Sequence, residues 1–328
     1  MRKVSVGAVQ PQAPPCPPEC DQQSRAFSGD PDCILQKWAL PCLEKSVALI
    51  EQAALQGADI VTSSEDICGL SRFLSCPGGL FRELARLAAP IAASRLSDVA
   101  SRLGIYAIGD FFSPDGGKIF NEAVVFGRRG EKRGSYRKTH VPPDELWHVA
   151  PGDELNVIEL DFGVIGISIC YDMMFPETVS VLSLKGAEAI FHPTGGYGWY
   201  DAIGDATLRT RANDCGVYII TAKNWVPSHA GNSGVIDHWG QTLVNAGFRP
   251  DAAVCAAIDL DESKSQPDWF VPVQMSGQPD VALRKLGERR PELYSLLSKK
   301  LHEAFSAPGE ETRQRIMEKI KRGECRWG

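Results

Sequence analysis

Apolar residues recur along this chain in two alternating patterns, short runs of period two or none and longer stretches spaced at i, i+3 and i+4, which predicts strands and helices in turn. Val4–Val9 reads as a first strand. A Pro-rich insertion from Pro11 to Asp32 follows, and Leu35–Leu55 reads as an amphipathic helix that stops at Gly57. Ala58–Thr62 is the next strand, Leu80–Leu103 a helix capped by Gly104, and Ile105–Asp110 a further strand. Ala123–Phe126 is expected to pair with the strand beyond Gly127-Arg128-Arg129-Gly130, and Leu155–Leu160 with Val164–Ile169 across Asp161-Phe162-Gly163. A helix at Glu177–Lys185, a strand at Ala189–His192, a helix at Ala206–Cys215 and a strand at Val217–Ala222 continue the alternation. Gly234–Asp237, Thr242–Asn245 and Ala253–Asp259 then read as consecutive antiparallel strands, and two charged helical segments follow from Pro291. This pattern predicts one α/β domain over residues 1–280, with residues 281–328 as a C-terminal extension.

Composition narrows the function classes. The 328 residues are 43% apolar and 23% charged, as in an ordinary globular protein with a sizeable core. Thirty-five Lys and Arg against 41 Asp and Glu give a net charge of −6, which argues against a nucleic-acid surface; Arg128-Arg129 and Lys299-Lys300 read as solvated faces. No apolar run approaches the roughly 18 residues of a membrane span, and the N-terminus lacks the apolar core of a signal peptide. A cytoplasmic protein without a membrane partner is expected. Its ten cysteines then read as thiols, and Cys16, Cys20, Cys33 and Cys42 match no strong zinc spacing, so no metal is expected.

The chemistry concentrates at strand ends, where α/β sheets tend to place it. Cys170 stands where the apolar run Val164–Ile169 stops. A thiol there is either a small buried hydrophobe or a nucleophile, and the second needs a base or cation nearby. Glu65 follows Ile60-Val61-Thr62-Ser63-Ser64, and Lys138 precedes the Pro142-Pro143 turn. Read alone, each is an exposed charge or a partner for the thiol. His140 and His192 leave open a Cys–His hydrolase with imidazole as base.

Ser64-Glu65, Arg137-Lys138-Thr139-His140 with Glu145 beyond, and Cys170-Tyr171-Asp172 with Phe175-Pro176-Glu177 resemble, in that order, the nitrilase superfamily of carbon–nitrogen hydrolases. Leu184–Glu188, Arg209–Ala212 and Gly231–Asp237 resemble its downstream blocks. The resemblance implies a four-layer αββα sandwich, with Glu65 as general base, Lys138 as the cation over the carbonyl, Cys170 as nucleophile and the Tyr171 backbone N–H facing the oxyanion. It implies Glu145 as a second glutamate that orients lysine and substrate. The loop from His192 to Tyr200 lies where the family shapes its pocket, so His192, Thr194, Tyr197 and Trp199 are pocket candidates, and their aromatics fit a subunit contact equally well. Ser64 stands where the family commonly has proline, and Asn213-Asp214-Cys215 where it commonly has Glu-Asn.

The implied activity is hydrolysis of a small linear amide or N-carbamoyl compound through a cysteine thioester, with no cofactor. The Tyr171-Asp172 pair is closer to amidase branches than to nitrilases; nitrile hydrolysis and a catalytically silent scaffold remain the alternatives. The resemblance also implies a homodimer or higher homo-oligomer, with the extension reaching across.

Overall fold

Val4, Val6 and Ala8 of strand β1 (Lys3–Gln10) join one apolar cluster and Val9 joins another, so the strand buries both faces and needs a layer on each side. The computed structural model, which describes residues 2–76, 79–196, 201–226, 232–262 and 288–298, supplies those layers with two six-stranded sheets. Numbered in chain order, the first sheet runs β12 (Ala252–Asp259), β1, β2 (Ile60–Thr62), β3 (Tyr106–Asp115), β4 (Lys118–Phe126), β5 (Lys132–Arg137). The second runs β11 (Thr242–Asn245), β10 (Gly234–Ile236), β9 (Tyr218–Lys223), β8 (Ala189–Thr194), β7 (Val164–Ile167), β6 (Val157–Glu159). Each has a parallel centre, β1–β2–β3 and β7–β8–β9, flanked by antiparallel strands.

Val6, Ile60, Ile108, Ile165, Phe191 and Ile220 fill the space between the sheets. Helices α2 (Leu40–Leu55) and α3 (Leu80–Leu103) cover the outer face of the first sheet, and α4 (Pro176–Leu184) and α5 (Asp201–Cys215) that of the second. The result is the αββα order. No helix among the described residues is long and apolar enough to cross a membrane.

Several elements depart from the sequence reading. Ala253–Asp259 does not continue the β10–β11 hairpin: β12 leaves that sheet and pairs antiparallel with β1, Lys3 opposite Asp259 and Gln10 opposite Ala252. This covers the free edge that β1 would otherwise present. The β3–β4 hairpin extends beyond Asp110 and starts before Ala123, turning at Gly116-Gly117, both at positive φ as a two-residue hairpin loop requires. The helix expected from Leu35 begins as a short turn α1 (Pro31–Ile34) and a π-helical turn at Leu35–Ala39, where Leu40 N–H bonds Leu35 O. Pro41 lacks a donor and its ring crowds the carbonyl four residues back, which widens the turn before it.

The chain divides into two compact units, Met1–Leu286 and Gly287–Gly328; both sheets belong to the first. In the second, Pro291–Leu293 and Ser295–Ser298 form 3-10 turns instead of the expected helix. Leu293, Leu296 and Leu297 are exposed there, so this stretch lacks the packing that stabilises a short helix. The segment expected as a helix at Glu310–Lys321 lies outside the described residues.

Candidate active site

The turn after β2 is built from side-chain clamps. Ser63 N–H bonds Ile108 O at 2.8 Å, Asp110 Oδ1 accepts Asp66 N–H at 2.8 Å, and Asp110 O accepts Ile67 N–H at 2.9 Å. Asp66 adopts φ +53°, a left-handed conformation that Asp tolerates better than most residues. Asn224 Nδ2 donates to Glu65 O at 3.0 Å, and its Oδ1 accepts from Ser64 Oγ at 2.7 Å, tying this turn to the end of β9. Glu65 thus projects from a turn held on both sides.

Lys138 follows β5, its N–H donating to Asn121 O at 2.9 Å. Its side chain is 0% exposed, and Nζ donates to Glu65 Oε1 at 2.8 Å and Glu145 Oε1 at 2.9 Å. Asn121 Nδ2 donates to Glu65 Oε1 at 2.9 Å and Gly195 N–H to Glu65 Oε2 at 2.6 Å. Burial raises the Glu65 carboxyl, but the Lys138 charge and hydrogen bond, with contributions from the Cys170 thiol and Gly195 N–H, outweigh it and hold the group below its ordinary value. Burial likewise opposes the charge on Lys138, and Glu65, Cys170 and Glu145 together hold it well above its ordinary value. Glu145 keeps its Oε2 without a partner among the described residues; burial, opposed by Lys138, raises it to about 7.

Cys170 opens a 3-10 turn at Cys170–Met174 just past β7, with φ +45°. A non-glycine residue in that region is a strained elbow of the kind that clusters at functional sites. Burial first and the Glu65 charge second push its thiol up to about 12, against Lys138 and the Thr194 hydroxyl. The resting group is therefore a neutral thiol beside an ionised carboxylate and an ammonium.

Asp172 joins the two halves of the site. It is 0% exposed. Oδ1 accepts from Thr139 Oγ1 at 2.9 Å, His140 N at 2.9 Å and His140 Nδ1 at 2.8 Å, and Oδ2 from Tyr136 OH at 2.8 Å and Ile169 N at 2.9 Å. The segment carrying Lys138 and the elbow carrying Cys170 therefore share one carboxylate. Burial opposes its charge, yet these donors, led by His140, hold it below its ordinary value.

The structure thus brings Glu65, Lys138 and Glu145 into one hydrogen-bonded group, with Cys170 and Thr194 interacting with it electrostatically. His192, on β8 beside the strand that leads to Cys170, commits Nδ1 to Ser168, at 3.0 Å from both its hydroxyl and its carbonyl, and burial lowers it to about 4, so it stands neutral. His140 commits Nδ1 to Asp172 and stacks on Phe175 at 3.9 Å. The groups that act most strongly on the Cys170 thiol are Glu65, Lys138, Thr194 and Glu145 rather than an imidazole. Tyr197 and Trp199 lie outside the described residues. Among the described residues no cluster of three or more His, Cys, Asp or Glu side chains could hold a metal ion.

In the sequence Asp172 stands out only as part of the Cys170-Tyr171-Asp172 motif, with no contact implied, and Asp110, Asn121 and Asn224 carry no assigned role. The available signal is their placement: Asn121, Asp110 and Asp172 interrupt the apolar stretches Ile119–Phe126, Ile105–Phe112 and Val164–Phe175.

The family model described as carbon-nitrogen hydrolase matches residues 35–268. The omega-amidase NIT2 of Xenopus tropicalis is 31% identical over 281 residues, 79% of this chain and 92% of that protein. Among solved structures, a carbon-nitrogen hydrolase from Helicobacter pylori G27 superposes with a TM-score of 0.70 at 21% identity, covering 91% of this chain and 99% of that one. A variant of the amidase from Nesterenkonia sp. AN1, showing covalent addition of the acetamide moiety of fluoroacetamide at its active-site cysteine, gives 0.65 at 22% identity, covering 90% and 97%.

Proposed function

The chain belongs to the carbon–nitrogen hydrolase family, and we propose that it hydrolyses small linear amides, releasing ammonia, with Cys170 as nucleophile, Glu65 as base, and Lys138 and the Tyr171 N–H facing the oxyanion. The observation that carries this reading is the Lys138 ammonium held by Glu65 at 2.8 Å and Glu145 at 2.9 Å beside a thiol on a positive-φ elbow. Relatives named omega-amidases support a terminal carboxamide as the substrate group.

An amide resists hydrolysis because its nitrogen leaves poorly and water attacks weakly, so a thioester intermediate divides the barrier. Because the resting thiol is neutral, its proton passes to Glu65 as the C–S bond forms. The carbonyl oxygen becomes an oxyanion toward Lys138 Nζ and the Tyr171 N–H; one such donor typically contributes about 2.7–4 kcal/mol. Glu65 then protonates the nitrogen, the C–N bond breaks and ammonia leaves. Water enters, gives its proton to Glu65 and attacks the thioester carbon; the C–S bond breaks and the proton returns to sulfur. Glu145 holds Lys138 in place through both halves.

The finer assignments belong to the same reading. N-carbamoyl compounds are a second substrate class, because their ureido carbonyl presents the same primary nitrogen. Residues 1–280 carry the hydrolase fold, residues 281–328 serve a homodimer, and the protein works in the cytoplasm. A panel of ω-amides, aliphatic amides, N-carbamoyl amines and nitriles with an ammonia readout tests the proposal. Turnover of terminal amides that Cys170→Ala abolishes is expected. Turnover of nitriles alone, or of no substrate by a folded protein, would overturn it.

A further inference from the structure

Behind Glu65 lies a carboxyl for which the reaction has no use. Asp110, at 0% exposure, clamps the Glu65 turn from both sides: its N–H donates to Ser63 Oγ at 3.1 Å, and its Oδ1 accepts Asp66 N–H at 2.8 Å. Its Oδ2 has no partner among the described residues. Across the β3–β4 pair Asp110 stands opposite Ala123, and Phe112 opposite Asn121. Asp110 and Asn121 are therefore diagonal neighbours on the face where Ile108 and Ala123 pack between the sheets. Asn121 gives Nδ2 to Glu65 Oε1 at 2.9 Å, while its Oδ1 is also without a partner.

Two open acceptors on adjacent buried side chains are costly, and a proton on one of them turns the pair into donor and acceptor. We propose that Asp110 carries a proton, donates through it to Asn121 Oδ1, and so fixes the Asn121 amide with Nδ2 on Glu65, making Asp110 and Asn121 positioning residues for the base. The electrostatics agree: burial first and the Glu65 charge second hold the Asp110 carboxyl well above its ordinary value. The charged and titratable groups facing Glu65 are Lys138, Cys170, Glu145, Asp110, Asp66 and His192, and of these Lys138 alone is a cation that favours its ionised form. The Asn121 donor adds to Lys138 in keeping Glu65 ionised and pointed. This inference rests on Glu65 acting as the base.

The test compares two variants with wild type. Asp110→Asn reproduces the neutral acid, one oxygen for the Asp66 N–H and one donor for Asn121, and is expected to keep kcat/KM and its acid limb within about twofold. Asn121→Ala removes a donor to the carboxylate, so the acid limb of kcat/KM moves about one pH unit upward, with roughly a tenfold loss below it. An infrared difference spectrum, wild type minus Asp110→Asn at neutral pH, reads the protonation without turnover and is expected to contain the carbonyl stretch of a carboxylic acid. Absence of that band, a loss of more than about tenfold in Asp110→Asn, or an unmoved acid limb in Asn121→Ala would overturn the proposal. A protein that shows the band but turns over no amide refutes the amidase reading instead.

Discussion

Replacing Asp172 by Asn changes one atom of a side chain that both halves of the site share. Each carboxylate oxygen accepts a backbone N–H, His140 N on Oδ1 and Ile169 N on Oδ2, and neither N–H can turn away. Whichever way the new carboxamide lies, its NH2 faces a backbone donor. A buried donor left unpaired costs about 1–3 kcal/mol, and the remaining bonds weaken on losing a charged acceptor, so a total of about 3–5 kcal/mol is expected. For a chain of this size that lowers Tm by on the order of 5–10 °C. Displacing the Cys170 elbow against Lys138 by about 1 Å costs on the order of a hundredfold in kcat. Tyr136→Phe, which removes a single donor to Oδ2, sets the scale at about 1 kcal/mol. Thermal melts and steady-state amidase kinetics of the three proteins measure both effects. Because the folded pKa of Asp172 is depressed, its contribution is present above the ordinary carboxylate range and disappears as pH falls through the folded value, so the Tm gap must narrow in acid. A variant within about 2 °C of wild type and unchanged in kcat would refute the reasoning.

Two further perturbations probe the buried charges. Lys138→Met leaves Glu65 and Glu145 without their shared cation; it is expected to cost about 3–5 kcal/mol by thermal melt and to abolish turnover, while adding Glu65→Gln recovers much of the stability and none of the activity. Asp66, raised to about 7 chiefly by burial, contributes stability that is full below its unfolded pKa and lost as pH rises toward 7, so the Tm advantage of Asp66→Asn must grow over that window; a constant gap would contradict the assignment.

How much of this is legible in the sequence follows from what each feature depends on. Chain order, apolar runs and turn residues are local, so the βα alternation, the hairpin at Gly127–Gly130 and the strand-end positions of Glu65 and Cys170 can be read directly. The transfer of β12 to the first sheet depends on which edge stands open in three dimensions, and the sequence of Ala252–Asp259 carries no mark of it. Asp110, Asn121 and Asp172 show in the sequence only as polar breaks in apolar stretches, and Asn224 carries no mark. Their importance lies in contacts reaching 32 to 160 residues along the chain, as for Asp172 with His140 and Asn224 with Ser64. By contrast, the Gly116-Gly117 turn and the widening before Pro41 carry local signals, a two-glycine loop and a helix-interior proline.

The central claim is a covalent bond from Cys170 to the acyl group of an amide. Acid-quenching the enzyme during turnover of a terminal amide and mapping peptides by mass spectrometry measures that bond directly. The account predicts an acyl adduct confined to the peptide containing Cys170, decaying at the rate of acid release and absent from Cys170→Ala. Undiminished amide turnover by Cys170→Ala, or an adduct on another side chain, would contradict it.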